Sequence, residues 1–222
     1  MTEQFGFGDK VALVAGGTGG IGSRVAALLA SRGAKVTTVS RATGADNHIS
    51  ADLRSPTAAG EAVAGVVSRH GRLDIVVNAV GVVAFGDAVA TSVDTVEEVF
   101  LTNTFAHVFL CQAALPAIGK GGVIVAVSGV VAEQNLPGMS VYGASKAAVR
   151  SFDEAFAREA RRAGIRVIDA RPPHTETGLA TRAVAGTAPR FPQGLSPDTV
   201  ASRIVAAIAD GETDLPSSAF TA

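Results

Sequence analysis

Short, continuous apolar runs alternate along the chain with stretches whose apolar positions recur every three or four residues. Val11 to Ala15 reads as a buried strand and Ile21 to Ser31 as a helix. Lys35 to Val39 forms a second strand, and Ile49 and Ala51 mark a short third. Pro56 to His70 is predicted to be helical, with Ser55 as N-cap and Pro56 at the first helical position, where its missing N–H costs nothing. Leu73 to Asn78 is a fourth strand. One long helix is expected from Thr95 to Ile118, opened by Asp94 with Glu97 three residues on. Val123 to Ser128 is a fifth strand, Tyr142 to Ala163 a second long helix ended by Gly164, and Ile165 to Ala170 a sixth strand. Ser196-Pro197-Asp198 opens a last helix that stops near Gly211.

Strands of continuous Val, Ile and Ala, separated by helices, imply a parallel sheet covered on both faces. The expected fold class is therefore α/β, a single Rossmann-type doubly wound sheet spanning residues 1–222. In such a sheet, ligands sit at the carboxyl ends of the strands. The segment from 171 to 197 is rich in Gly, Pro and Thr and is expected to be a substrate lid within the same domain. Val82 to Val89 and Val130 to Val141 are further lid candidates, and their apolar side chains imply an apolar pocket.

Composition narrows the partners. Of 222 residues, 47% are hydrophobic and 18% charged, and the net charge is −1, so a full core is expected and global disorder is not. Near-neutrality leaves no electrostatic footprint for nucleic acid or an anionic membrane. The one basic cluster, Arg158, Arg161 and Arg162, fits the solvated C-terminal end of a helix. The first ten residues carry Glu3 and Asp9 and no long apolar run, unlike a signal peptide, and no apolar run reaches the ~20 residues of a membrane helix. The single cysteine, Cys111, cannot form an internal disulfide and suits a reducing cytoplasm, with the thiol in the core. No metal site is expected.

Chemistry-bearing residues gather after the strands. The first strand runs into Gly16-Gly17-Thr18-Gly19-Gly20-Ile21-Gly22 and then a helix. Such a loop brings backbone N–H groups and the positive end of a helix to a pyrophosphate. Where a dinucleotide's adenosine ribose would lie, at the end of strand two, the chain reads Val39-Ser40-Arg41, with no carboxylate to repel a 2′-phosphate. Ser40 can donate to that phosphate and Arg41 can pair with it, which favours NADP(H), with NAD possible. The only tyrosine, Tyr142, is followed four residues on by Lys146, which places both on one helix face. An ammonium beside a phenol favours the phenolate, so Lys146 is expected to lower the pKa of Tyr142 and fit it for acid/base work.

The glycine spacing G-x-x-x-G-x-G at Gly16, Gly20 and Gly22, together with Tyr142-x-x-x-Lys146 after strand five, resembles the short-chain dehydrogenase/reductase family over nearly the whole chain. The resemblance implies hydride transfer between a nicotinamide cofactor and a small-molecule carbonyl/alcohol substrate. It implies that Tyr142 exchanges a proton with the substrate oxygen and that Lys146 holds the nicotinamide ribose. It makes Asn103 the active-site Asn that holds a water. It also implies that Thr18 and Ile21 lie in the phosphate loop, Asp52-Leu53 meets the adenine, Asn78 and Gly81 shape the turn after strand four, and Thr177 contacts the carboxamide. Ala15 and Ala79 depart mildly from the family pattern, and Pro173 stands where the family has Gly. The largest departure is Gly129, at the place of the family's catalytic Ser. Ser128, one residue early, is the nearest substitute; Ser140, Gln134 or a water are the others. His174 reads as a loop histidine rather than an acid/base. The family is usually dimeric or tetrameric, so a homo-oligomer is implied, although the chain lacks the usual Gly-rich stretch after Leu215. A catalytically impaired NAD(P)-binding sensor or partner protein, and an isomerase of related fold, are the alternative readings.

Overall fold

A computed structural model describes residues 5–44 and 46–221, so the first four residues of the N-terminal stretch discussed above lie outside it. The chain forms a seven-stranded sheet: β1 (Val11–Ala15), β2 (Lys35–Ser40), β3 (His48–Ser50), β4 (Ile75–Asn78), β5 (Val123–Val127), β6 (Arg166–Ala170) and β7 (Asp214–Leu215). Every pairing is parallel and the order is β3-β2-β1-β4-β5-β6-β7. The order reverses between β1 and β4, which opens a crevice at their carboxyl ends. The doubly wound fold expected from the strand pattern is therefore present, with β7 as an added edge strand too short to announce itself by periodicity.

Among the described residues, six α-helices pack about the sheet: α1 (Gly20–Ser31), α2 (Pro56–His70), α3 (Val93–Phe100), α4 (Ala106–Ala114), α5 (Ser140–Arg162) and α6 (Pro197–Asp210). The caps follow local chemistry. Ser55 Oγ accepts from the Ala58 N–H at 3.3 Å, and Gly71 ends α2 at φ +76°. Ser196 Oγ accepts from the Thr199 N–H at 3.0 Å, and Gly211 ends α6 at φ +78°. Alternation along the strands splits the core in two. Ala12 and Val14 pack toward α1 and α6, while Val11, Leu13 and Ala15 pack toward α2 and α4. Fully buried side chains such as Leu13, Leu29 and Ile204 each contribute about 1.5–3 kcal/mol.

The long helix expected from Thr95 to Ile118 is corrected by the structure. It begins at Val93, capped by Ser92, whose Oγ accepts from the Thr95 N–H at 3.2 Å, so Asp94 is a first-turn acid and not the cap. A π-helical turn over Leu101–Phe105 then separates α3 from α4. The cause is a buried polar trio, Thr102, Asn103 and Thr104, inside an otherwise apolar surface. Asn103 Oδ1 accepts from the Val82 N–H at 2.8 Å, and its Nδ2 donates to the Val82 carbonyl at 2.9 Å. Thr104 Oγ1 donates to the Ser145 carbonyl at 2.9 Å. The Asn103 bonds tie the bulge to the loop after β4 and the Thr104 bond ties it to α5, and such bulges are frequent at functional sites.

Candidate active site

The glycine loop closes the crevice between β1 and β4. Gly16 has φ +75°, and a Cβ there would lie 2.8 Å from the Ala79 carbonyl carbon. A Cβ on Gly22 would lie 2.2 Å from the Gly16 oxygen. Only glycine permits both approaches. The first turn of α1 has no side-chain cap and no acid, so its leading N–H groups face outward without a built-in partner. That terminus opens onto a cavity of about 410 Å³ lined by Gly16, Thr18, Ser40, Arg41, Asp52, Leu53 and Arg54. A second cavity of about 330 Å³ shares Gly19, Ala79, Val80, Gly81, Leu179 and Arg182 with the first. The second holds Tyr142, Lys146, Gly129, Gln134, His174 and Thr177, with walls from Val83, Phe85, Met139 and Phe191. The cleft thus has a polar arm past β1 and β2 and a largely apolar arm over β5 and β6.

These two arms fit a dinucleotide: the glycine cradle leaves room that any Cβ would fill, and an open helix terminus faces it. At the polar arm, Ser40 Oγ lies 3.2 Å from His48 Nε2, and Arg41 is exposed. Asp52 is gripped by Arg54, whose Nη2 lies 2.6 Å from Oδ2. That hydrogen bond outweighs burial and lowers the Asp52 carboxyl pKa. Arg54 also reaches Glu98, which the sequence did not single out. Asn78 shapes the β4 turn by accepting from the Val80 N–H at 3.0 Å. Its Nδ2 lies 3.1 Å from His107 Nδ1, and His107 Nε2 lies 2.7 Å from Asp153 Oδ1. Cys111 is buried beside His107, as a core thiol should be.

At the apolar arm, Lys146 is 5% exposed and its Nζ donates to the Val127 carbonyl at 2.9 Å. Burial lowers its pKa to about 8, with Asp169 pulling the other way. Tyr142 packs on Val83, Phe85 and Met139, and burial raises its pKa to about 12. The expectation that Lys146 lowers the phenol pKa is therefore not met: desolvation governs both groups, and the ammonium is turned to a carbonyl. Asn103 is 1% exposed and bonds Val82 and Ser145; a Cβ on Gly81 would sit 3.3 Å from both its Oδ1 and Lys146 Nζ. Thr177 presses on Gly20, where a Cβ would meet its side chain at 2.7 Å.

Ser128 lines the cleft with its hydroxyl engaged. It is 1% exposed, and its Oγ donates to Asp169 Oδ1 beneath the sheet end. Asp169 belongs to a network that the sequence did not reveal. Arg171, 4% exposed, bonds Glu133, Asp169 and Asp214. Ser217 Oγ closes the set by donating to Glu133 Oε2 at 2.5 Å. The only hint in the sequence is a charge pair, Asp169 and Arg171, inside an apolar strand end. Gly129 itself has φ +90° and ψ 162°, a region held almost solely by glycine, where any side chain costs about 1–3 kcal/mol. The segment from 171 to 197 covers the apolar arm, tied to the loop after β4 by Phe85 N–H to Ala185 O and Val184 N–H to Val83 O, each 2.9 Å.

The shift of Lys146 has a consequence for stability. Its pKa is about 8 in the folded chain against an ordinary 10.5, so between those values the unfolded chain holds a proton the folded chain has lost. Stability contributed by this group therefore rises with pH across that window. Melting curves of the ligand-free protein from pH 7.5 to 10 are expected to show a rise that Lys146→Met removes.

The short chain dehydrogenase family model matches residues 10–187. A "Dehydrogenase/reductase SDR family protein 7-like" from Anopheles gambiae is 31% identical, over 93% of this chain and 74% of that protein. A "Hydroxynaphthalene reductase" from Aspergillus fumigatus is 35% identical over 71% of this chain and 63% of its own length. A solved short chain dehydrogenase from Burkholderia cenocepacia in complex with NADP superposes with TM-score 0.83 at 27% identity, covering 96% of this chain and 98% of that one. The chain belongs to the short-chain dehydrogenase/reductase family of NAD(P)-dependent oxidoreductases. Among the described residues, no helix is long and apolar enough to cross a membrane.

Proposed function

We propose that this protein is an NADP(H)-dependent reductase of a small, apolar ketone, with Tyr142 as the proton donor. The observation that carries it is one cleft in which Tyr142, Lys146 and the glycine cradle line adjoining cavities. When bound, the nicotinamide supplies the hydride that reaches the carbonyl carbon. Tyr142, protonated because burial holds its pKa near 12, gives its proton to the carbonyl oxygen, and the product is the alcohol. Lys146, which donates to the Val127 carbonyl, would also hold the nicotinamide ribose, and its charge would stabilise the phenolate left behind. Asn103 keeps the loop after β4 in register with Lys146. Gly16, Thr18, Gly20, Ile21 and Gly22 would seat the pyrophosphate; Asp52 and Leu53 would frame the adenine; Asn78 and Gly81 shape the turn between the two arms; Thr177 would meet the carboxamide. The segment 171–197 closes over the substrate.

Ser40 and Arg41 at the polar arm, with no acid at the end of β2, support NADPH over NADH. The NADP-bound neighbour agrees in cofactor. Side-by-side fluorescence titrations are expected to show tighter NADPH binding, and Arg41→Ala is expected to cut that preference roughly tenfold, the loss of one phosphate-paired guanidinium. Equal affinities in the unaltered chain would overturn the cofactor choice.

A further inference from the structure

The two arms of the cleft meet at a seam lined by Gly19, Ala79, Val80, Gly81, Leu179 and Arg182, and the arginine is its only charged side chain. A dinucleotide with adenosine in the polar arm and nicotinamide in the apolar arm must carry its doubly charged pyrophosphate across that seam. The charges around the cleft suit an anion. The chain as a whole has net charge −1, yet the cleft lining sets Arg41, Arg54, Lys146 and Arg182 against a single carboxylate, Asp52. Of these cations, Arg54 is taken by Asp52 and Glu98, and Lys146 gives its Nζ to the Val127 carbonyl. Arg182 meets no carboxylate within 4.0 Å among the described residues.

Arg182 ends a single turn, Ala180–Arg182, in the segment that covers the apolar arm. Local backbone fixes where its guanidinium lies. Nε donates to the Gly178 carbonyl at 3.1 Å and Nη2 to the Thr177 carbonyl at 3.3 Å. Nη1 makes no hydrogen bond among the described residues. Thr177 in turn rests on the first residue of α1: a Cβ on Gly20 would lie 3.0 Å from the Thr177 Cα. An exposed cation is thus held against the N-terminus of α1 through one intervening residue, Thr177. That is the wrong sign of charge for this end of a helix, whose leading N–H groups are already partly positive. No acid in the first turn of α1 offsets the two. An anion between them would, and a guanidinium can pair with two phosphate oxygens at once.

We propose that Arg182 is a pyrophosphate-binding residue: it reaches from the segment over the substrate to the cofactor's phosphates at the seam, adding a side-chain cation to the backbone cradle of Gly16 to Gly22. The inference rests on the dinucleotide reading of the cleft. It divides the work between two arginines, Arg41 for the 2′-phosphate and Arg182 for the phosphates that NADPH and NADH share.

The test is calorimetric titration of the full chain with NADPH, NADH and ADP-ribose, which have the adenosine half and the pyrophosphate in common. Arg182→Gln is expected to weaken all three by a similar factor, about tenfold, the loss of one charge-assisted pair. Arg182→Lys, which keeps the charge but not the fork, should recover part of that loss. Adenosine, measured as a competitor of ADP-ribose, has no phosphate and should bind the Gln variant and the unaltered chain alike. The melting temperature without ligand should not change, because the side chain is exposed. Affinities of Arg182→Gln within about twofold of the unaltered chain for all three ligands overturn the proposal. A weakening confined to NADPH would move Arg182 to the 2′-phosphate, an equal weakening of adenosine would move it to the nucleoside, and a raised KM for a ketone with cofactor affinity kept would move it to the substrate; each overturns the proposal. It also falls if the Gln variant loses affinity and melting temperature together and Lys restores neither, since the arginine is then only structural. A chain that binds none of the three ligands sinks the dinucleotide reading itself, whereas one that binds them equally with and without Arg182 sinks this inference alone.

Discussion

Replacing Tyr142 with Phe is expected to lower turnover by about a thousandfold, within the range that a positioned general acid contributes. Only the phenol oxygen is removed. The ring still packs on Val83, Phe85 and Met139, so folding and the cavity wall survive. Dinucleotide binding draws on the glycine cradle and the Ser40–Arg41 edge, which do not depend on the phenol oxygen, and should change little. The decisive pair of measurements is therefore steady-state turnover and cofactor affinity on the same sample. A fall in turnover with affinity kept assigns the proton to Tyr142. Unchanged turnover would remove Tyr142 from the chemistry. A non-catalytic sensor of the same fold predicts a third pattern, cofactor binding with no turnover in either form.

Replacing Arg171 with Met is expected to destabilise the fold by about 3–5 kcal/mol, the usual cost of removing one partner from a buried ion pair. Arg171 and Asp169 have side chains only 5% and 8% exposed. Burial works against the arginine charge, but bonds to Glu133, Asp169 and Asp214 outweigh it and raise its pKa. Without the guanidinium, Asp169 keeps only Ser128 as a close donor in a buried site that already raises its pKa. For a chain of this length the melting temperature should fall by roughly 10 °C. Arg171→Lys should recover only part of it, because one ammonium cannot fork to three carboxylates. The network joins the turn after β5 to β6 and β7, so the loss should also loosen the loop that carries Gly129. A melting temperature unchanged in Arg171→Met would show that these contacts hold nothing together.

How much of this was legible depends on what each feature asks of the sequence. The parallel sheet was, because strands buried on both faces must be continuous apolar runs. The caps at Ser55 and Ser196 were, because capping is local. The break at Leu101–Phe105 was not read, since a π turn preserves the apolar face on both sides; its one signal was three polar residues in a row at buried positions. β7 was invisible at two residues. In the site, the glycine cradle and the Tyr142–Lys146 pair were legible from spacing. Electrostatics was not: i,i+4 spacing predicts adjacency, but Lys146 turned to a backbone carbonyl, and burial decided both pKa values. The partner of Ser128 was not legible for a related reason. The next residue in sequence faces the cleft, but the Ser128 hydroxyl belongs to Asp169, which lies forty-one residues away along the chain.

The central claim is that this cleft moves hydride to a carbonyl carbon. It is tested most directly by incubating the protein with NADPH carrying deuterium at both C4 positions of the nicotinamide and a reducible ketone, and recovering the alcohol for mass spectrometry and NMR. The account predicts deuterium on the carbinol carbon, one per alcohol formed, and its absence from product when Tyr142 is Phe because product no longer accumulates. Alcohol formed without deuterium at that carbon, or no alcohol formed by a chain that binds NADPH, would contradict it.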